Sequence, residues 1–392
     1  MGDGSGAKDG AAAMAMHAQV LFKQGNALKQ DDQVSAFQNL LRQAIHDSVN
    51  DEVPEANALV QAMYGADKSP VFYVYFDKQR ALWVVEIIWS VEGPRQGCVW
   101  GSLLFCIAAK QALERLALEF PDVTVRAQCD DIVRATKPRA GETWPDALER
   151  LSLMVHRQDE LFNPLGLTRH PDKSKCTIPL EAVEPLRRMT QCDEDGNVLT
   201  EELPVLTVNN IPTTVLRGSV ISGIPVGDPD YVRQHTNVKA SQAAIKVTQT
   251  AALALIEPHM AASLLTATVR AQLQYTWSLV PPSYCEEAYG IYDEAVQRAI
   301  ELLLCPTGSV AASCSDARMR RAIKLLRNPT HHGGADLALS SEDGPVVYVA
   351  KFIANMRGQV LKDNHGLFEG HIRDAHARVL NLLGDATRAT ST

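Results

Sequence analysis

The sequence predicts an α+β fold: a small antiparallel sheet backed by helices over residues 19–228, then an all-helical region over 229–392. Three observations predict it. Val123, Val125, Ala127 and Cys129 alternate with polar neighbours, and Ile132 and Val133 resume an apolar run after Asp130-Asp131, so two strands meet at a carboxylate-bearing turn. Helical spacing flanks this hairpin over 101–119 and 145–162. Beyond Asp230 alternation disappears and helical patterns follow one another, separated by Pro258 and by Pro281-Pro282.

Length and composition set the outer limits. The 392 residues are enough for two or three subdomains, and an apolar fraction of 46% is ordinary for a globular protein. A net charge of -8 argues against a generic polyanion binder, so a nucleic-acid site must be a local basic strip on an acidic body. The eight cysteines form no Cys-x-x-Cys pair and no zinc-knuckle spacing, which predicts reduced thiols and an intracellular protein of the nucleus or cytoplasm. No apolar run approaches the ~20 residues that span a bilayer, and no membrane partner is expected. Residues 1–18 read as a flexible tail, without the apolar stretch of a secretory signal. Gly2 is followed by Gly6 where a myristoylation signal has Ser or Thr.

In chain order, Phe37, Leu40, Leu41 and Ile45 recur at helical spacing after Ser35, with Asp31 or Asp32 in the turn before them. A second helix spans roughly 55–64. Val71–Phe76 and Ala81–Trp89 read as two strands joined by the polar residues 77–80. They lead into Gly93-Pro94-Arg95-Gln96-Gly97, a loop whose glycines allow close backbone approach to a ligand, and then into the 101–119 helix. After the Asp-Asp hairpin and the 145–162 helix, a basic loop from Leu165 to Cys176 enters a short strand. Residues 191–213 combine acidic side chains with an apolar run, Leu203–Val208, and Gly218–Gly227 reads as one strand broken by a glycine and a proline. Helices follow near 229–257, 259–277, 283–304, 316–327, 345–360 and 368–383. The pair His331-His332 lacks further ligands at metal spacing and reads as a loop.

Taken singly these motifs are bland: an Asp-Asp pair is a common solvated turn, and the Arg and Lys of 169–175 a solvated surface. Their order is more specific. Asp32 with Phe37, then Arg95-Gln96-Gly97, then Ala127-Gln128-Cys129-Asp130-Asp131, then Gly166-Leu167 with Pro171-Asp172-Lys173 resembles the palm of a reverse transcriptase of the non-LTR retrotransposon type. That family reads Asp-x-x-x-Ala-Phe-Asn, Gly-x-x-Gln-Gly-Asp-Pro-Leu, Ala-Tyr-x-Asp-Asp and Gly-Leu-x-x-Asn-x-x-Lys. Gly223–Gly227 looks like its primer grip, and His332–Leu339 like its Gly-Gly-Leu-Gly-Leu segment. Gln128 stands where the family has an aromatic, Cys98-Val99-Trp100 where it has Asp-Pro-Leu, and the strand before Asp32 reads Ala27-Leu28-Lys29-Gln30-Asp31 where an apolar run is usual.

The resemblance implies a palm over 19–228 and a helical thumb and C-terminal region over 229–392, with the fingers that precede the palm missing. It implies an RNA-directed DNA polymerase by ancestry, acting on an RNA template, a DNA primer and dNTP. Two Mg²⁺ (or Mn²⁺) ions, held by Asp32, Asp130 and Asp131, would stabilise the attacking 3'-oxygen and the leaving pyrophosphate. Lys173 would lie at the pyrophosphate, Phe37 would sit under the incoming sugar, and Arg95, Gln96 and Gly97 would contact nucleotide and template. The alternative is a catalytically inactive nucleic-acid-binding or scaffolding remnant that keeps the polymerase shape. A viral RNA-dependent RNA polymerase is third, because its Ser-Gly-x-x-x-Thr helix is not where Arg95-Gln96-Gly97 stands.

Overall fold

The computed structural model describes residues 10–65, 69–94, 98–170, 172–190, 205–208, 211–304, 317–328, 337, 339–355 and 359–390. Three sequence expectations therefore lie outside the described residues: the Arg95-Gln96-Gly97 segment, the acidic stretch after 191, and the His331–Gly334 loop. No helix among the described residues is long and apolar enough to cross a membrane.

The first described element is helix α1 (Gly10–Lys23), which stands where residues 10–18 of the expected tail lie, while residues 1–9 of that tail lie outside the described residues. Its Ala12, Met14, Ala15, Met16, Ala18 and Val20 are buried. Alanine and methionine are strong helix formers, and packing rather than solvent decides the state of such a segment. The chain divides into two compact units, residues 24–216 and residues 1–23 together with 217–392.

The unit over 24–216 is mixed α+β. Its elements are β1 (Ala27–Asp31), α2 (Ala36–Asn39), α3 (Arg42–Glu52), α4 (Asn57–Tyr64), β2 (Ser69–Asp77), β3 (Leu82–Ser90), α5 (Gly101–Glu119), β4 (Thr124–Gln128), β5 (Asp131–Thr136), α6 (Trp144–Phe162), β6 (Lys175–Thr177), α7 (Leu180–Thr190), β7 (Val205–Val208) and β8 (Ile211–Leu216). Six strands form one sheet in the order β4-β5-β1-β6-β8-β7, antiparallel except for the β6–β8 pair. The helix expected to run from Ser35 is instead broken into α2 and α3. Leu40 and Leu41 are extended there, giving Leu40 O to the Gly93 amide and the Leu41 amide to Leu165 O. Helix α5 buries Leu104, Phe105 and Ala108 against Ile45, Val49 and Val60, and α6 buries Leu148, Leu151 and Met154 against Ala27, Cys176 and Val215. A capping box between Thr143 and Asp146 starts α6. Strands β2 and β3 form a separate two-stranded ribbon.

The second unit joins α1 to β9 (Gly218–Ile221), β10 (Ile224–Gly227), α8 (Pro229–Ala252), α9 (Pro258–Leu279), α10 (Glu286–Leu304), α11 (Ala317–Arg327), α12 (Ser340–Asn355), α13 (Gln359–Asn364) and α14 (Glu369–Thr390). The expected single strand over 218–227 is a hairpin. Ser222 and Gly223 both take positive φ (47° and 80°), the two-residue turn that matches strand twist. Ile224 lies in the helical core with Val247, Leu273 and Trp277, so the hairpin belongs with the helices, in the unit of residues 1–23 and 217–392. Trp277 packs edge-on against Tyr289 at 4.9 Å and donates its indole N–H to Ser340.

Candidate active site

Strand β1 carries the site although three of its five residues, Lys29, Gln30 and Asp31, are polar. Lys29 and Asp31 are both buried, in a strand with antiparallel neighbours on each side, β5 and β6. Burying charges requires partners, and the partners are distant in sequence. The Asp31 carboxylate accepts hydrogen bonds from Lys29, from Arg134 of β5 at 2.9 Å and from Ser174 at 2.6 Å, with Arg169 at 3.5 Å. Arg134 also donates to Gln158 of α6, and Arg169 forms a bidentate pair with Asp159, both bonds 2.7 Å. Burial by itself would raise the Asp31 carboxyl, but Arg134 and Lys29 outweigh it and hold the group at about 2. Three cations against two carboxylates leave this cluster with net positive charge.

Directly after β1 comes Asp32. Its carbonyl accepts the His170 amide at 2.8 Å, Val34 N–H donates to Thr168 O, and Gln33 bridges to Arg169. The segment 168–170 thus clamps Asp32 at the strand end, and the Asp32 carboxylate accepts a hydrogen bond from Lys173 at 2.7 Å. That bond raises the Lys173 ammonium above its ordinary value.

Across the sheet, β4 and β5 pair from Thr124↔Ala135 to Gln128↔Asp131, so Cys129 and Asp130 form the two-residue turn and Asp131 opens β5. The last β1–β5 pair is Asp31↔Ile132, which brings Asp32 and the Asp130-Asp131 turn to the same end of the sheet. Half-burial is the first cause raising the Asp130 carboxyl, and the negative charge of Asp32 adds to it, while its own backbone amide works against the rise. Cys129 holds the turn with φ of 53°, and its thiol is hydrogen-bonded to Cys106 and Ser102 of α5.

Phe37 is half-buried, its ring 5.0 Å from that of buried Phe105. Gly93 crosses α2 at φ 65°, donating to Leu40 O, and a Cβ there would stand 2.0 Å from Phe37 O. Glu92 accepts the Arg42 amide, and Arg42 in turn donates to Ser90 O. The residues leading into 95–97 are therefore held against α2.

The fold brings Asp32, Asp130 and Lys173 together, with Asp131 beside Asp130. Among the described residues, no three His, Cys, Asp or Glu side chains converge as a metal cage. Hard carboxylates with mutual repulsion are the donors a divalent cation favours, so Asp32 and Asp130 fit one edge of such a site. The buried Lys29–Asp31–Arg134–Arg169 cluster was not visible in the sequence beyond the unusual polarity of 27–31.

No family model and no curated protein matches the chain. Among solved structures it is similar to apo telomerase from Candida tropicalis, at 9% identity over 88% of this chain and 53% of that one, with a TM-score of 0.35. It is also similar to telomerase from Candida albicans in complex with a fragment of telomeric RNA, at 6% identity over 91% of this chain and 52% of that one, with a TM-score of 0.29. The chain spans about half the length of these two.

Proposed function

We propose that the chain is a reverse-transcriptase-like protein whose 24–216 unit is a polymerase palm for RNA-directed synthesis of DNA. One observation carries this reading: the β4–β5 turn and the end of β1 bring Asp130 and Asp32 to the same end of the sheet, with Lys173 bonded to Asp32. In this reading Asp32 and Asp130 would hold Mg²⁺ or Mn²⁺, with Asp131 alongside. The bound ion would stabilise charge on the attacking 3'-oxygen and on the leaving pyrophosphate. Lys173 exchanges its bond to Asp32 for one to the pyrophosphate, neutralising it or giving it a proton. Phe37, packed against Phe105, would sit under the incoming sugar, and Arg95, Gln96 and Gly97 would contact nucleotide and template. Primer extension on an RNA template with a DNA primer and dNTP tests this. Metal-dependent extension that Asp130→Asn abolishes is the expected result, and no extension in either metal contradicts an active enzyme.

A second reading, a catalytically inactive nucleic-acid-binding or scaffolding remnant, is favoured by the net charge of -8 and by Gln128 and Cys98-Val99-Trp100, where the family's motifs have an aromatic and Asp-Pro-Leu. It expects RNA binding that no metal and no aspartate substitution alters.

A further inference from the structure

The β2–β3 ribbon carries nine paired residues in each strand, from Ser69↔Ser90 to Asp77↔Leu82. Among the described residues its strands pair only with each other. A two-stranded hairpin is marginal alone in water and needs a further strand, a helix or a packed face to persist. Period-2 alternation sorts its side chains into two faces. One face carries Tyr73, Tyr75 and Glu86, with the Tyr75 hydroxyl donating to Glu86. The other carries Phe72, Val74 and Phe76 opposite Ile87, Val85 and Trp83, without a charge; the Trp83 indole N–H is the one polar group among these six side chains.

All six of these are exposed, from 46% at Phe76 to 70% at Trp83. With side chains of the order of 150–250 Å² each, the face offers on the order of 600 Å² of apolar surface. That is at the upper limit of what a soluble monomer leaves bare. The nearby charges, Asp77, Lys78 and Arg80, lie at the tip, off this face.

We propose that this face is a self-association surface, against which the same face of a second copy of the chain packs about a two-fold axis. A face without charge meets its own image with no buried like-charge pair, and a two-fold interface needs only one self-complementary patch. Two copies bury on the order of 1,200 Å² in total, above the roughly 1,000 Å² at which specific interfaces begin. The aromatic content, Phe72, Phe76 and Trp83, matches what interface centres favour. Stacking also relieves the marginal stability of the ribbon, because each hairpin gains a packed face.

Sedimentation of the full chain over roughly 1–50 µM tests this, since specific interfaces of this size dissociate in or below that range. Wild type sediments as a dimer. Trp83→Glu and, separately, Ile87→Lys raise the dissociation constant at least tenfold with unchanged far-ultraviolet circular dichroism. Tyr73→Ser, on the opposite face, leaves the dimer intact. A wild-type monomer at the highest concentration means another partner covers the ribbon and overturns the proposal. A dimer that survives both substitutions, or one equally lost with Tyr73→Ser, also overturns it.

Discussion

Asp31 and Asp32 are adjacent in sequence and sit in opposite surroundings. Asp31 is enclosed by Lys29, Arg134, Arg169 and Ser174, whereas Asp32 is half-exposed beside Lys173. Asp31→Asn leaves three buried cations facing only Asp159, and urea denaturation should show a loss of about 3–5 kcal/mol. The same carboxylate sets an acid limit. Its folded pKa of about 2 lies below the ordinary 3.8, so its contribution is complete above pH ~4 and fades as pH falls toward 2. Asp130 behaves in the opposite sense. Its raised pKa means that ionisation costs folding stability as pH rises through that value, so Asp130→Asn should be as stable as wild type or slightly more so at pH 7. The difference should close below the ordinary carboxylate range, where both side chains are neutral. Thermal melts at pH 3 and pH 7 check this.

At the scale of elements, the bend at Gly93 joins α2 to the loop that enters 95–97. Gly93→Ala places a Cβ 2.0 Å from Phe37 O at a positive φ, and should cost roughly 2–3 kcal/mol in a denaturant titration, because backbone must shift. The sequence was informative where an element's pattern is local. Helix α5 covers the expected 101–119, α6 begins one residue before the expected 145, and β2 and β3 stand where the strands over 71–76 and 81–89 are expected. The Asp130 turn was legible for the same reason. What was hidden depends on remote partners. Strand β1 reads as a polar segment because Arg134, Gln158, Arg169 and Ser174 lie more than 100 residues further along. The break between α2 and α3 depends on Leu165 and Gly93, and the anchoring of Cys129 on Cys106 of α5, both non-local.

At the scale of the molecule, the chain is two units, and its start belongs to the second. Helix α1 was illegible because an Ala- and Met-rich segment has no sharp amphipathic period, and its burial is decided by β10, α13, α9 and β9 of its own unit. Met16 is 3% exposed in that core, so Met16→Ala should cost about 2–4 kcal/mol. Hydrogen exchange should show the lost protection in α1 and in the helices of its own unit.

The aspartate edge is the central feature, and a metal-dependent melting experiment tests it most directly. A ligand that binds only the folded state stabilises it by mass action, about 2.7 kcal/mol at a hundredfold excess over its dissociation constant. Millimolar Mn²⁺ should therefore raise the wild-type melting temperature by several degrees, and Asp32→Asn and Asp130→Asn should each remove most of that rise. Asp77→Asn, in the ribbon turn, should leave it intact. A wild-type melting temperature unchanged by Mn²⁺, or a rise that persists in Asp130→Asn, would contradict a metal-binding edge at Asp32 and Asp130.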